Sequence, residues 1–190
     1  MGRLSAALGL LFGSIAATAV DAPRWSIDYS ASELVFAAVQ AGAEFEGSFD
    51  EFEADVRFAP EALESSHARV RVTAASAQTQ NDERDGYLRG DGWLEADKYP
   101  DLVWETERFE ALGNDRFRAV GKLKVRDLIR EVPFEFTVER RGDSVELDGT
   151  TTLDRLELGL GLGDWANTEW VGKDAVVRVK LVARLDTAAP

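Results

Sequence analysis

Val177-Arg178-Val179-Lys180-Leu181-Val182-Ala183-Arg184-Leu185 is the stretch that decides the fold. Val177, Val179, Leu181, Ala183 and Leu185 lie on one side of an extended chain, and Arg178, Lys180, Val182 and Arg184 on the other. Successive side chains of a strand point to opposite faces, so this period of two sets one face in an apolar interior and the other in water. The same period recurs upstream. Val132, Phe134, Phe136 and Val138 alternate with Pro133, Glu135, Thr137 and Glu139, and Phe52, Ala54, Val56 and Phe58 oppose Glu53, Asp55 and Arg57. Trp25, Ile27 and Tyr29 share a face of a first strand. Gly113-Asn114-Asp115, Arg141-Gly142-Asp143 and Gly172-Lys173-Asp174 are short polar connections of the hairpin kind. From Trp25 onward the pattern predicts about eight to ten strands at the spacing of a sandwich or barrel. Two stretches break it: Asn81 to Leu88 reads as a loop with a short helical turn, and Pro60 to Ser65 as a second turn with Pro60 at its first position.

Composition narrows the function. The 190 residues hold 22 Lys+Arg against 35 Asp+Glu, a net charge of −13, with no Cys, His67 alone, and Met only at position 1. Without Cys there is no disulfide framework, iron–sulfur cluster or thiolate zinc site. One His excludes a bis-His haem clamp within the chain. Phosphate binding is driven by positive charge, so no nucleic-acid partner is expected. Met1 to Ala22 (MGRLSAALGLLFGSIAATAVDA) reads as a secretory signal peptide. One Arg precedes an apolar run, and small residues stand before cuts after Ala19 or Ala22. The run Leu4 to Val20 is short for the roughly 20 residues of a spanning helix, and no later stretch is long and apolar enough to span. The expected organisation is therefore a leader at 1–22 and one domain at 23–190, periplasmic or secreted. Removing the leader takes away one Arg and one Asp, so the charge of −13 belongs to the exported body.

Two segments carry the most distinctive spacing: Gln78 to Thr106, with Arg84-Asp85, Leu88, Tyr99-Pro100 and Trp104, and Leu153 to Val177, with Asp154-Arg155 and Leu160-Gly161. With the opening Trp25/Ile27-Asp28, Gly42 and Gly47, and the central GKLKVRDLIREVPFEF, the chain resembles the YceI-like family in order and spacing over nearly all of its exported part. The resemblance implies a single antiparallel lipocalin-like β-barrel of about eight strands with one or two short helices. It also implies a bound polyisoprenoid or isoprenoid quinone, held as by a carrier or store. Three positions depart from the family pattern. Tyr29 stands where His is common, Leu158 where Phe precedes the Gly-Leu-Gly run, and Leu128-Ile129-Arg130 where Gly-Val-Thr is usual.

A small barrel either fills its interior with side chains or leaves room for one ligand. Burying a methylene is worth about 0.8 kcal/mol, so an apolar site needs no polar motif. Phe36, Phe45, Phe49, Trp93, Tyr99, Trp104, Phe134, Phe136, Leu160 and Trp165 are the candidate ligand contacts, although each also fits an ordinary core. Asn81, Glu83, Asp85 and Gly86 begin like a calcium loop, but Gly92 occupies the closing position where a bidentate Glu is required, so no metal is expected. The single His lacks a G-x-S-x-G elbow, and GLGLG at 159–163 lacks dinucleotide spacing and a following helix. Neither a catalytic residue nor a cofactor is expected. An enzyme (hydrolase or isomerase) acting on a hydrophobic substrate and a ligand-free barrel used in protein interaction stay open as alternatives, as does a homodimer.

Overall fold

The computed structural model describes residues 21–187. The expected leader therefore lies outside the described residues except for Asp21 and Ala22. The described chain forms β1 (Arg24–Ile27), β2 (Glu33–Gln40), β3 (Ala43–Phe49), β4 (Phe52–Arg57), β5 (His67–Thr73), β6 (Ala77–Gln78), α1 (Asp82–Arg89), β7 (Asp101–Gly113), β8 (Arg116–Val125), β9 (Leu128–Arg141), β10 (Ser144–Asp154) and β11 (Asp174–Leu185). Eight strands close on themselves in the order β1-β4-β5-β7-β8-β9-β10-β11, with β11 returning to β1, and every pairing is antiparallel. This is the barrel expected from the alternation. β2, β3 and β6 extend from β11 as a flap outside the closed ring.

β11 is long enough to serve two neighbours along one edge. Its C-terminal end pairs with β1 (Trp25↔Leu185, Ile27↔Ala183), and its N-terminal half pairs with β2 (Glu33↔Lys180, Ala37↔Val176). A bend at Asp28–Ser32 separates β1 from β2. Asp28 Oδ1 accepts from Ser30 N (3.1 Å) and Ser30 Oγ (2.6 Å), while Ser32 Oγ donates to Asp28 O and accepts from Val182 N. The Ser30 hydroxyl, opposed by burial and helped by the Ser30 and Ala31 N–H groups, holds the Asp28 carboxyl below its usual range. This bend corrects the expectation for Tyr29. The strand ends at Ile27, and Tyr29 turns outward to 47% exposure instead of joining the inner face.

The core divides into two apolar clusters. Phe58, Phe117, Ala119 and Phe136 fill one, with Phe58 and Phe117 edge to face at 5.1 Å. Ala74, Ala77, Leu94, Ala96, Val125 and Leu158 fill the other beneath α1 and the loops after it. Phe117 and Val125 stand at opposite ends of β8, so the clusters are separated by most of that strand. β7 carries register shifts at Thr106/Arg108 and Ala111/Gly113, bulges that let a long strand curve around the ring. Asn81 caps α1, its side chain accepting from Arg84 N at 3.0 Å. The turn expected at Pro60–Ser65 is shorter than read: only Leu63–Ser65 is helical, as a 3-10 turn, and Pro60 lies before it.

Candidate ligand cavity

The inward face of the alternating strands does not meet itself at the centre. Val56, Val70, Val145, Leu147, Leu153, Val177 and Val179 point inward yet are only half-buried, because the space before them holds no protein. A close-packed core would cover such side chains. The space is a cavity of about 200 Å³, more than ten times the roughly 10–15 Å³ that one water requires.

Its chemistry is uniform. The lining side chains are aliphatic or aromatic apart from Thr151, and none is titratable. The polar atoms present are already committed. Thr151 Oγ donates to Pro133 O (2.7 Å), Trp104 Nε1 to Val132 O (3.1 Å) and Trp25 Nε1 to Phe58 O (2.9 Å). No lining side chain keeps a donor in reserve to anchor water, and apolar cavities of this kind stay dry and accept apolar molecules. Two glycines allow aromatic rings to lie flat against the wall. A Cβ at Gly121 would stand 2.7 Å from Trp104 Cε2, and one at Gly149 would overlap Phe134 Cζ. Charge is kept outside on the opposite parity, as in Arg118–Glu135 (2.6 Å) and Arg71–Glu53 (2.8 Å).

Of the ten candidate contacts, Phe49, Trp104, Phe134 and Phe136 line the cavity. Trp104 and Phe134 pack edge to face at 6.2 Å, and Phe134 stacks on Phe136 at 5.8 Å. The other six are not part of its wall. Phe36 and Phe45 pack against each other in the flap, where Arg84 lies 4.0 Å over the Phe45 ring. Trp93, Leu160 and Trp165 gather around Arg155 below the barrel, with Trp93 and Trp165 at 6.1 Å and Trp93 Nε1 buried without a partner. Tyr99 sits on the surface side, its hydroxyl on Asp127. Residue type alone does not place these six, whose positions along the barrel put them at its flap, base or rim. Val132, Val138, Val177, Val179 and Leu181 also line the cavity, and they carry the period-two signal itself. Leu158, one of the departures from the family pattern, is buried in the base cluster and does not touch the cavity.

The Arg84-Asp85 and Asp154-Arg155 pairs are structural fasteners. Arg155 is buried and donates to Gly172 O, Leu160 O, Gly161 O, Trp165 O and Val171 O at 2.7–3.0 Å. Burial pushes its guanidinium pKa down, against the pull of Asp154. Asp85 accepts from Thr79 N and Thr79 Oγ, and Arg84 donates to Thr79 and Gln40. Asn81 and Asp85, read as the start of a calcium loop, are thus used as helix cap and loop clamp. Among the described residues no group of three or more His, Asp or Glu is placed to hold a metal ion. His67 opens β5 at the surface, 3.4 Å from Thr106 Oγ and 3.8 Å from Glu105.

A closed antiparallel barrel around an apolar cavity defines a lipocalin-like class of protein. Within that class the sequence matches the YceI-like domain over residues 25–183, and the chain belongs to that family. A UPF0312 protein of Vibrio campbellii is 24% identical over 135 residues, covering 70% of this chain and 68% of the relative. One of Vibrio parahaemolyticus is 24% identical over 161 residues, 82% of each. Among solved structures, Burkholderia cenocepacia BcnA superposes with a TM-score of 0.79 at 24% identity, covering 83% of this chain and 99% of that one. A polyisoprenoid binding domain from Saccharophagus degradans, described as implicated in plant cell wall breakdown, superposes with a TM-score of 0.67 at 14% identity, covering 86% and 99%. These likenesses establish the barrel.

Proposed function

We propose that this protein binds a long apolar lipid, a polyisoprenoid or an isoprenoid quinone, inside the barrel and acts as an exported carrier or store. One observation carries the reading: a cavity whose every polar lining side chain is already hydrogen-bonded to backbone, so that only an apolar occupant gains by entering it. The Saccharophagus relative, described as polyisoprenoid binding, supports the ligand class. The absence of titratable groups from the lining supports binding over turnover. An export signal within residues 1–22 directs the body to the periplasm or beyond the cell. No helix among the described residues is long and apolar enough to cross a membrane. An acidic exterior keeps such a carrier off anionic lipid surfaces and free to diffuse. The protein needs no cofactor for this role.

The test is mass spectrometry of an organic extract of the purified protein. A prenyl lipid at near-stoichiometric yield, lost in a Val179→Trp variant that fills the cavity, is the expected result. Protein that arrives empty and takes up neither added quinone nor added polyprenol would sink the reading.

A further inference from the structure

We propose that the ligand's polar end leaves the barrel through its side, in a mouth between the β1–β2 bend and the β3–β4 turn. This mouth takes an uncharged, hydrogen-bond-accepting head and turns away a phosphate. The inference rests on the lipid-binding reading above and adds the class of head group.

Apolar clusters pack toward each end of β8, and the barrel wall has an incomplete seam. β1 and β4 share only Arg24↔Arg57 and Trp25↔Val56, and β3 pairs with β2 and β6 instead of β4. Beside the unpaired run of β4 lies a hollow of about 550 Å³. Its wall includes Leu34, Phe49 and Phe52, which also face the apolar cavity. These three side chains set the hollow directly against the cavity, and it is past them that the proposed ligand would reach water.

Tyr29 spans the seam. Its hydroxyl accepts the Ala54 N–H at 3.1 Å, replacing the strand partner that β4 lacks at that point, and its ring meets the edge of Phe52 at 5.5 Å. Accepting that bond leaves the phenolic proton, on a half-exposed side chain lining the hollow, for an acceptor oxygen of a ligand. The rim is acidic. Glu33, Asp50, Glu51 and Glu53 line it, and the cation among the lining residues, Arg71, is already paired with Glu53 (2.8 Å) and Asp101 (3.4 Å). A quinone or alcohol oxygen meets a donor in this mouth. A phosphate meets net negative charge, and the lining residues hold no uncommitted cation to receive it.

The experiment compares four probes on protein stripped of co-purifying lipid, read by tryptophan fluorescence. Three share a geranylgeranyl tail and carry a benzoquinone, an alcohol or a monophosphate; the fourth is a headless C20 isoprenoid hydrocarbon. The quinone and the alcohol are expected to bind about tenfold more tightly than the phosphate. Glu33→Lys with Glu51→Lys closes that gap by raising phosphate affinity and leaves the headless probe unchanged. Tyr29→Phe weakens the quinone about threefold or more, again without effect on the headless probe. A phosphate that binds as tightly as the quinone overturns the proposal. So does a Tyr29→Phe variant that weakens all probes alike, which marks Tyr29 as merely structural. In either case tight binding of the headless probe leaves the lipid-binding reading standing. Failure of all four probes to bind removes that reading and this proposal together.

Discussion

Arg155 uses all five of its N–H donors on backbone carbonyls, and that arrangement has a cost when it is broken. A lysine in its place offers three donors from a single point and no planar fork. Several carbonyls of the 160–172 loop are then left without a donor, so Arg155→Lys is expected to lose about 3 kcal/mol or more in urea unfolding. A loss below 1 kcal/mol would mean that water serves those carbonyls equally well. Gly149 makes a second single-residue prediction. An added Cβ overlaps Phe134 Cζ and stands 2.8 Å from Glu135 O, and backbone on that side does not yield. The Phe134 ring must shift, and the open direction is the cavity. Gly149→Ala is expected to cost about 1–3 kcal/mol and to lower the amount of lipid recovered per protein. Unchanged stability together with full lipid recovery would show that the ring moves elsewhere.

At the scale of elements, β10 ends on a carboxylate with a defined acid response. Asp154 Oδ1 accepts from Leu156 N at 2.9 Å and Oδ2 from Lys173 Nζ at 3.3 Å. Burial pushes its pKa up, but the Leu156 N–H, Lys173 and the Glu157 N–H together outweigh it, and the carboxyl lies below its usual range. A folded-state pKa below the unfolded one means stability that is complete above the unfolded value and lost as pH falls through the folded one. Asp154→Asn, which keeps an acceptor for Leu156, is therefore expected to flatten the stability curve below about pH 4. Stability that falls as steeply in the variant would assign the acid response to other carboxylates. The segment entering β1 bears on the leader. Ala22 is 2% exposed, and its N–H donates to Ser65 Oγ at 2.9 Å. A cut after Ala22 removes both the buried methyl and that bond, whereas a cut after Ala17-Thr18-Ala19 keeps them. If the proposed leader is cleaved, N-terminal sequencing of the mature protein is expected to begin at Val20, and a start at Pro23 would show that the barrel does not need Ala22.

For the whole molecule, hollowness carries a thermodynamic consequence. A cavity lined by half-buried valines and leucines leaves apolar surface uncovered in the empty protein, and an occupant covers it in the folded state alone. Ligand that binds only the folded form stabilises it by about 2.7 kcal/mol at a hundred times Kd. The midpoint of thermal unfolding is therefore expected to rise with prenyl lipid concentration, and to stay fixed in the filled Val179→Trp variant. A rise of equal size in both proteins would place the lipid outside the barrel.

Much of this architecture was legible in the chain, and the remainder was not, for a physical reason. The period of two in β4, β9 and β11 assigns each residue to an inner or outer face from local stereochemistry, and with it the separation of apolar interior from charged surface. Asn81 to Leu88 reads as a loop with a short helical turn, whereas the structure extends it to an α-helix over Asp82–Arg89, because the Asn81 cap and packing at the barrel base add turns that a polar, non-alternating sequence does not signal. Where an aromatic ring ends up along the barrel depends instead on partners far away in the chain. Phe134 needs Gly149, Trp104 needs Gly121, and Trp93 and Trp165 are drawn to the base by Arg155 and the loop it fastens. Tyr29 has the inward parity of Trp25 and Ile27, yet the Asp28–Ser32 bend, fastened to Val182, turns it outward to the seam. Filled and hollow barrels share one alternation pattern, because alternation specifies which side a side chain faces and not how far away the opposite wall stands. By itself, then, the sequence determined an all-β chain with an apolar inner face and an acidic outer one. The closure of β11 onto β1, the cavity left inside and the hollow beside β4 were decided by the tertiary structure, since each follows from distances between strands that no local pattern encodes.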